Sequence, residues 1–240
     1  MRNRTLIGLG LILFIEFIEA GCGSGSNPLT PSPVANGQAC RTFATQWTET
    51  PTFRQPASAT ASFDAAAHVY SETAPGSSIV VQRTIYQSVG DFIDEPVVMG
   101  RILATRKESC ASPTCAGGFG EAEVYSYDQQ RRLTILDNVV AGFSMSRDVY
   151  SAWDNRGRPI AGTRNQPGLC TVPLTLTYDD AGRTVTTVPG QSSNILCLAL
   201  TFSSSKSFDA DGNLIVDTGS AGGTTTTTTR TITATDKICK

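Results

Sequence analysis

Histidine occurs once in this 240-residue chain, at His68. A single imidazole cannot build a multi-histidine metal site, and a Ser-His-Asp triad would have to rest on one residue in a strand-like stretch. None of the seven cysteines stands at Cys-x-x-Cys spacing, which removes the common zinc frame. Lysine and glutamate are sparse, net charge is −2, and no basic run exceeds the pair Arg131–Arg132. A nucleic-acid footprint needs a basic patch, so that partner class is set aside. Past Cys40 no long stretch keeps apolar residues at three- and four-residue spacing, so no helix is expected in the folded region. No metal and no cofactor is expected either, and the chain does not read as an enzyme.

What is present is threonine, serine, glycine and valine, a composition suited to strands and turns. Short alternating runs recur. In PLTLTYDD, Leu174, Leu176 and Tyr178 share one face while Thr175 and Thr177 share the other. Such alternation predicts an antiparallel sheet with one buried face. Between the runs a unit repeats: YDQQRRL from Tyr127, WDNRGRP from Trp153, YDDAGRT from Tyr178 and FDADGNL from Phe208, at spacings of 26, 25 and 30 residues. Asp128, Asp154, Asp179 and Asp209 suit the start of a type I turn, where a carboxylate accepts from backbone amides. Gly157, Gly182 and Gly212 suit a following left-handed residue, with Arg131 standing where glycine is expected. Each unit therefore reads as a bulged hairpin turn. Residues 62–71, SFDAAAHVYS, open like a decayed fifth copy, with Ala67 at the glycine position.

These units resemble the YD-repeat family, built around Tyr-Asp-x-x-Gly-Arg-Leu, across residues 125–216. The resemblance implies consecutive hairpins stacked side by side in one long, curving sheet, as in the Rhs-type shell proteins. The family's period is shorter, and so few degenerate units cannot enclose a cargo, so no shell is carried over. The expected fold is thus all-β, an antiparallel sheet of stacked β-hairpins supported by disulfides. Residues 230–238 read as a final strand closing the sheet edge, against the competing reading of a disordered threonine tract.

The first residues, MRNRTLIGLGLILFIEFIEAGC, place Arg2 and Arg4 before an apolar run that ends in small residues and Cys22. This is the layout of a signal peptide. Glu19-Ala20-Gly21-Cys22 resembles the lipobox of bacterial lipoproteins, with Glu19 where leucine is usual. The resemblance implies a signal peptide over residues 1–21 and lipidation of Cys22. Residues 22–37, rich in glycine, serine and proline, follow as a flexible tether, and the all-β domain occupies residues 38–240. Lipidation takes up the odd cysteine and leaves Cys40, Cys110, Cys115, Cys170, Cys197 and Cys239 for an oxidising compartment. Sequence leaves their pairing open. The preferred set is Cys110–Cys115 across CASPTC, Cys170–Cys197, and Cys40–Cys239 tying the domain's start to its end. The chain is placed outside the cytoplasm on a bacterial membrane, and the lack of Asp after Cys22 favours the outer one.

Candidate chemistry is thin. Glu121 and Glu123 share a strand face and Asp91, Asp94 and Glu95 cluster, but neighbours along one element rarely face each other across a cleft. DADGN, from Asp209, opens like a calcium loop, yet Ser220 stands where its closing glutamate belongs. CAGGFGEAE lacks a lysine and precedes a strand, so it reads as a loop. One surface possibility remains. Tyr127, Trp153, Tyr178 and Phe208 recur once per unit; exposed, they would stack on sugar rings with Arg158 and Arg183 as donors, and buried, they are core. The expected role is a non-catalytic binding or scaffold module, with an envelope protein or a cell-wall glycan as partner and an envelope hydrolase as the least favoured reading.

Overall fold

The computed structural model describes residues 39–190, 197, 202–221 and 223–240. The signal peptide, Cys22 and the tether lie outside the described residues. The alternating runs become fourteen strands: Cys40–Pro51 (β1), Ala57–Asp64 (β2), Val69–Thr73 (β3), Val80–Tyr86 (β4), Ala104–Ser109 (β5), Glu121–Tyr127 (β6), Leu133–Val140 (β7), Phe143–Trp153 (β8), Pro159–Gln166 (β9), Cys170–Asp179 (β10), Thr184–Pro189 (β11), Ser203–Phe208 (β12), Leu214–Ala221 (β13) and Thr224–Cys239 (β14). Each pairs antiparallel with its neighbour in sequence. β14 also pairs with β1, from Cys40↔Cys239 to Pro51↔Thr228.

The sheet is therefore a closed barrel, which corrects the expected sheet of stacked hairpins. The all-β, antiparallel part of that expectation holds. Closure has a physical reason. An open meander leaves two unpaired edges, and β14, at 16 residues, is long enough to pair with both β13 and β1 and remove them. The threonine tract belongs to this strand. Residues 230–238 are its second half, and they pair with β1 as the edge-closing strand was expected to do.

Closure also accounts for the repeat. A unit of 25 to 30 residues holds two strands, one turn at the rim where the barrel's chain ends lie, and one at the opposite rim. We call these the near and far rims. All four recognised units put their Asp turn at the near rim, and so does the β2–β3 hairpin.

The link between β4 and β5 departs from the pattern. It contains a helix, Val89–Asp94 (α1), and a 3-10 turn, Glu95–Val97, where none was expected. Six residues are too few for a helical period to register in sequence. Ser88 caps α1 by accepting from the Asp91 N–H at 3.1 Å. Phe92 of α1 is fully buried among Phe43, Phe63, Tyr70 and Tyr86, and the Arg41 guanidinium lies 3.9 Å over its ring. Further along, Met99 packs on Val185, Phe208 and Leu214 across the barrel. The link thus crosses the near mouth as a plug, and the apolar core lies beneath it.

The three disulfides are Cys40–Cys239, Cys110–Cys115 and Cys170–Cys197, the preferred pairing. The first closes the barrel seam at the near rim.

Candidate functional site

The near rim is built by repetition of one carboxylate turn. Asp154 Oδ1 accepts from the backbone N–H groups of Arg156 and Arg158, each at 2.9 Å, and Oδ2 accepts from Arg158 Nε at 2.7 Å. Asp128 repeats this with Gln130 and Arg132. Asp209 holds the Asn213 N–H and side-chain amide, which gives it a turn role in place of a calcium role. Burial opposes the charge on Asp154 and Asp128, but the hydrogen bonds from these arginines outweigh it and hold both carboxyls below their ordinary pKa.

Positive φ falls at Arg131 (59°), Gly157 (76°) and Gly212 (76°), as the motif requires. In the third unit it falls at Arg183 (50°), one residue after Gly182, which corrects the role assigned to Gly182. That turn is a residue longer. Gly182 is needed for a different reason: a Cβ there would run into the Asp179 carboxylate, whose Oδ1 accepts the Gly182 N–H at 2.9 Å. The β2–β3 hairpin has the same longer turn, with Asp64 accepting from Ala66 and Ala67 and positive φ at His68 (57°). The lone histidine is thus a turn residue.

The aromatic row points inward. Phe208 is buried, and Tyr127, Trp153 and Tyr178 pack against the core. Tyr127 Oη donates to the Ala104 carbonyl at 2.6 Å, Trp153 Nε1 to Leu133 at 2.9 Å, and Tyr178 Oη to Pro159 at 2.8 Å. Arg132 lies 4.4 Å over Trp153 and Arg158 lies 4.1 Å over Tyr178, so in the first two units the arginine covers the next unit's ring. Arg158 is itself buried and also bonds Asp180 at 2.7 Å. The polar tips of three rings are thus bonded within the barrel, and the row expected to meet a glycan works as a ratchet between neighbouring hairpins. This interlock between units was not foreseen. The recurring arginine directly after the turn was its one signal in the sequence.

Below the plug the lumen changes from apolar to charged. Asp148 and Arg164 face each other on β8 and β9 and form two buried bonds of 2.7 and 2.8 Å. Arg230 bridges Glu49 and Glu72 at 3.0 and 3.1 Å. Glu123 accepts from Tyr125 Oη. Burial, and then the charge of Glu123, pushes the Tyr125 hydroxyl well above its usual pKa. Burial also raises Glu95 in the plug, against the opposing pull of Arg41 and three hydrogen bonds. A cavity of about 80 Å³ remains, lined among others by Glu123, Asp148, Arg164 and Lys206. Small-molecule pockets run to several hundred Å³, so this one holds a few waters at most. Glu121 and Glu123 face Ser109 and Lys107 on β5, and Asp91, Asp94 and Glu95 belong to the plug. Glu123 and, more weakly, Glu95 both act on the Tyr125 hydroxyl. Among the described residues no group of three or more histidine, cysteine, aspartate or glutamate side chains could hold a metal ion.

The outer wall is polar. A row of hydroxyls crosses five strands, Thr177↔Thr186↔Ser205↔Thr218↔Thr227, with side-chain hydrogen bonds between Thr186 and Ser205 and between Thr218 and Thr227. Elsewhere it carries the ion pairs Arg106–Glu108 and Asp137–Arg147. No helix of the described residues is long and apolar enough to cross a membrane.

No family model matches the chain, and no curated protein matches it. Among solved structures it is similar to a porin-like protein from Bacteroides uniformis, with 11% identity and a TM-score of 0.36 over 82% of this chain and 98% of that one.

Proposed function

We propose that this chain is a lipid-anchored cell-envelope protein that works as a non-catalytic binding or scaffold module. The anchor is Cys22, exposed by cleavage after residue 21, and the rim turns are degenerate YD-type units. The observation that carries the reading is the state of the barrel interior. Its near mouth is filled by its own chain, its seam is closed by Cys40–Cys239, and inside it Asp148 pairs with Arg164 while Glu49 and Glu72 share Arg230. A barrel in that condition offers its outside and its rims to partners, and neither a passage nor a reaction chamber. A closed sheet has no edge to lend, so an envelope partner would meet the hydroxyl-rich wall or a rim.

The test is labelling with radioactive palmitate in a bacterial host. Label should enter the wild-type chain and be absent from Cys22→Ala. Equal labelling of the two overturns the anchor and, with it, the envelope assignment.

A further inference from the structure

The two rims of this barrel differ in kind. The near-rim turns and plug carry charge at nearly every step, including Asp91, Asp94, Asp128, Arg132, Asp154 and Asp180. The five far-rim turns described in full, residues 52–56, 74–79, 110–120, 141–142 and 167–169, carry one charged residue, Arg54, and no acid. On those turns, or in the case of Phe143 at the strand end that leaves one, large apolar side chains stand in solvent: Phe53 and Phe143 are each 74% exposed, Leu169 48% and Ile79 39%. They sit on four different hairpins. Successive far-rim turns are two strands apart, or ~10 Å around the rim.

We propose that the far rim seats on a lipid bilayer. Phe53, Ile79, Phe143 and Leu169 enter the boundary between headgroups and acyl chains, and Arg54 meets lipid phosphate. Separate apolar tips on neutral turns match a flat, fluid surface, into which each tip sinks independently. A second copy of the chain would need a continuous apolar face, and here glycine, serine and proline stand between the tips. With Arg54 on its turns and Glu121 as the one acid at its strand ends, the far rim suits an anionic surface better than the acid-rich near rim does. The tether is long enough for this placement. Residues 22–39 reach up to ~60 Å when extended, and the 12 residues of β1 span ~40 Å, so a lipid at Cys22 can share the bilayer on which the far rim rests. That reach presupposes the anchor at Cys22, whereas the exposure and charge of the far rim do not.

The full-length protein is tested with a reporter tryptophan at Phe53 or Phe143, or, as a near-rim control, at the exposed Gln130. Each variant is mixed with phosphatidylcholine–phosphatidylglycerol vesicles whose acyl chains are brominated or ordinary. Trp47 and Trp153 give the same background throughout. The added emission of Phe53→Trp and Phe143→Trp should shift to the blue on vesicles and be lost to bromine, while Gln130→Trp keeps its signal. This readout is specific to position and does not depend on what anchors the chain, so its failure is distinct from failure of lipidation at Cys22. No quenching at the far rim, or equal quenching at Gln130, overturns the proposal. So does a blue shift without vesicles that tracks dimer formation in sedimentation, which would assign the rim to a second copy.

Discussion

A single carboxylate does three jobs in the rim turns of Asp128 and Asp154, and the first prediction at the residue scale comes from that economy. Asp154 satisfies two backbone N–H groups and fixes the arginine that covers the next ring. Its folded pKa is depressed, so its stabilisation is complete above the unfolded aspartate value of about 3.9 and is lost as pH falls through the lower folded value. Asp154→Asn should therefore lower the denaturation midpoint at pH 7, and the gap to wild type should narrow at pH 3. Glu95 has the opposite sign: its raised pKa favours folding below the ordinary glutamate range, and that contribution fades as pH rises. The ring hydroxyls give a second check. Tyr178→Phe leaves the Pro159 carbonyl without its donor and Tyr127→Phe does the same to Ala104, each at about 1–2 kcal/mol in urea unfolding. His68→Gly should instead stabilise by about 1 kcal/mol, because glycine adopts the positive φ without strain. The sequence made the aspartates and most of the glycines legible. It hid the one-residue offset at Gly182 and Arg183, because a longer turn with an arginine at positive φ has no composition to announce it.

Elements tell a different story about legibility. Strand alternation showed the inward faces of β10 and its neighbours, and the cysteine spacing suggested the disulfide set. Closure was not readable, since an edge-closing strand and a barrel seam have the same local pattern; only the register of β14 on both β13 and β1 separates them. The plug escaped for the same reason in miniature. α1 owes its position to Phe92 and to the hydrogen bonds of Glu95 with Tyr86, Leu103 and Ala104, all of them tertiary. Phe92→Ala removes a ring with no solvent exposure and should destabilise by about 3–5 kcal/mol. The disulfides can be ranked by the chain they close. Cys40–Cys239 spans 199 residues and Cys110–Cys115 spans 5, so the entropy of the unfolded chain predicts losses of about 5 and about 2 kcal/mol when each pair is changed to serine. Similar losses for both pairs in guanidinium unfolding would mean the seam is held by β-pairing alone.

At the scale of the whole molecule, charge is sorted along the barrel axis and polarity is sorted across the wall. A barrel that spans a bilayer turns an apolar band about 25 Å tall outward, bordered by aromatic residues, and keeps its polar side chains in the lumen. Here the lumen is charged in the same sense, but the wall is not apolar. Thr177, Thr186, Ser205, Thr218 and Thr227 run across it as one hydroxyl row, and Arg147 is bonded to Asp137 at 2.6 Å on the outer face of β7 and β8. An arginine on a lipid-facing wall costs about 2–4 kcal/mol near the midplane, and this wall carries several charges of both signs. Water therefore suits the wall better than hydrocarbon does. The barrel of residues 37–240, made with its disulfides formed, should then remain soluble and sediment as one species without detergent. Losing the sedimentation boundary on dilution out of detergent, with recovery on adding it back, would mean the hydroxyl rows face lipid after all. In that event the contact with the bilayer would extend from the rim to the whole wall, and the far-rim reporters would be quenched no more strongly than a tryptophan placed at Thr186.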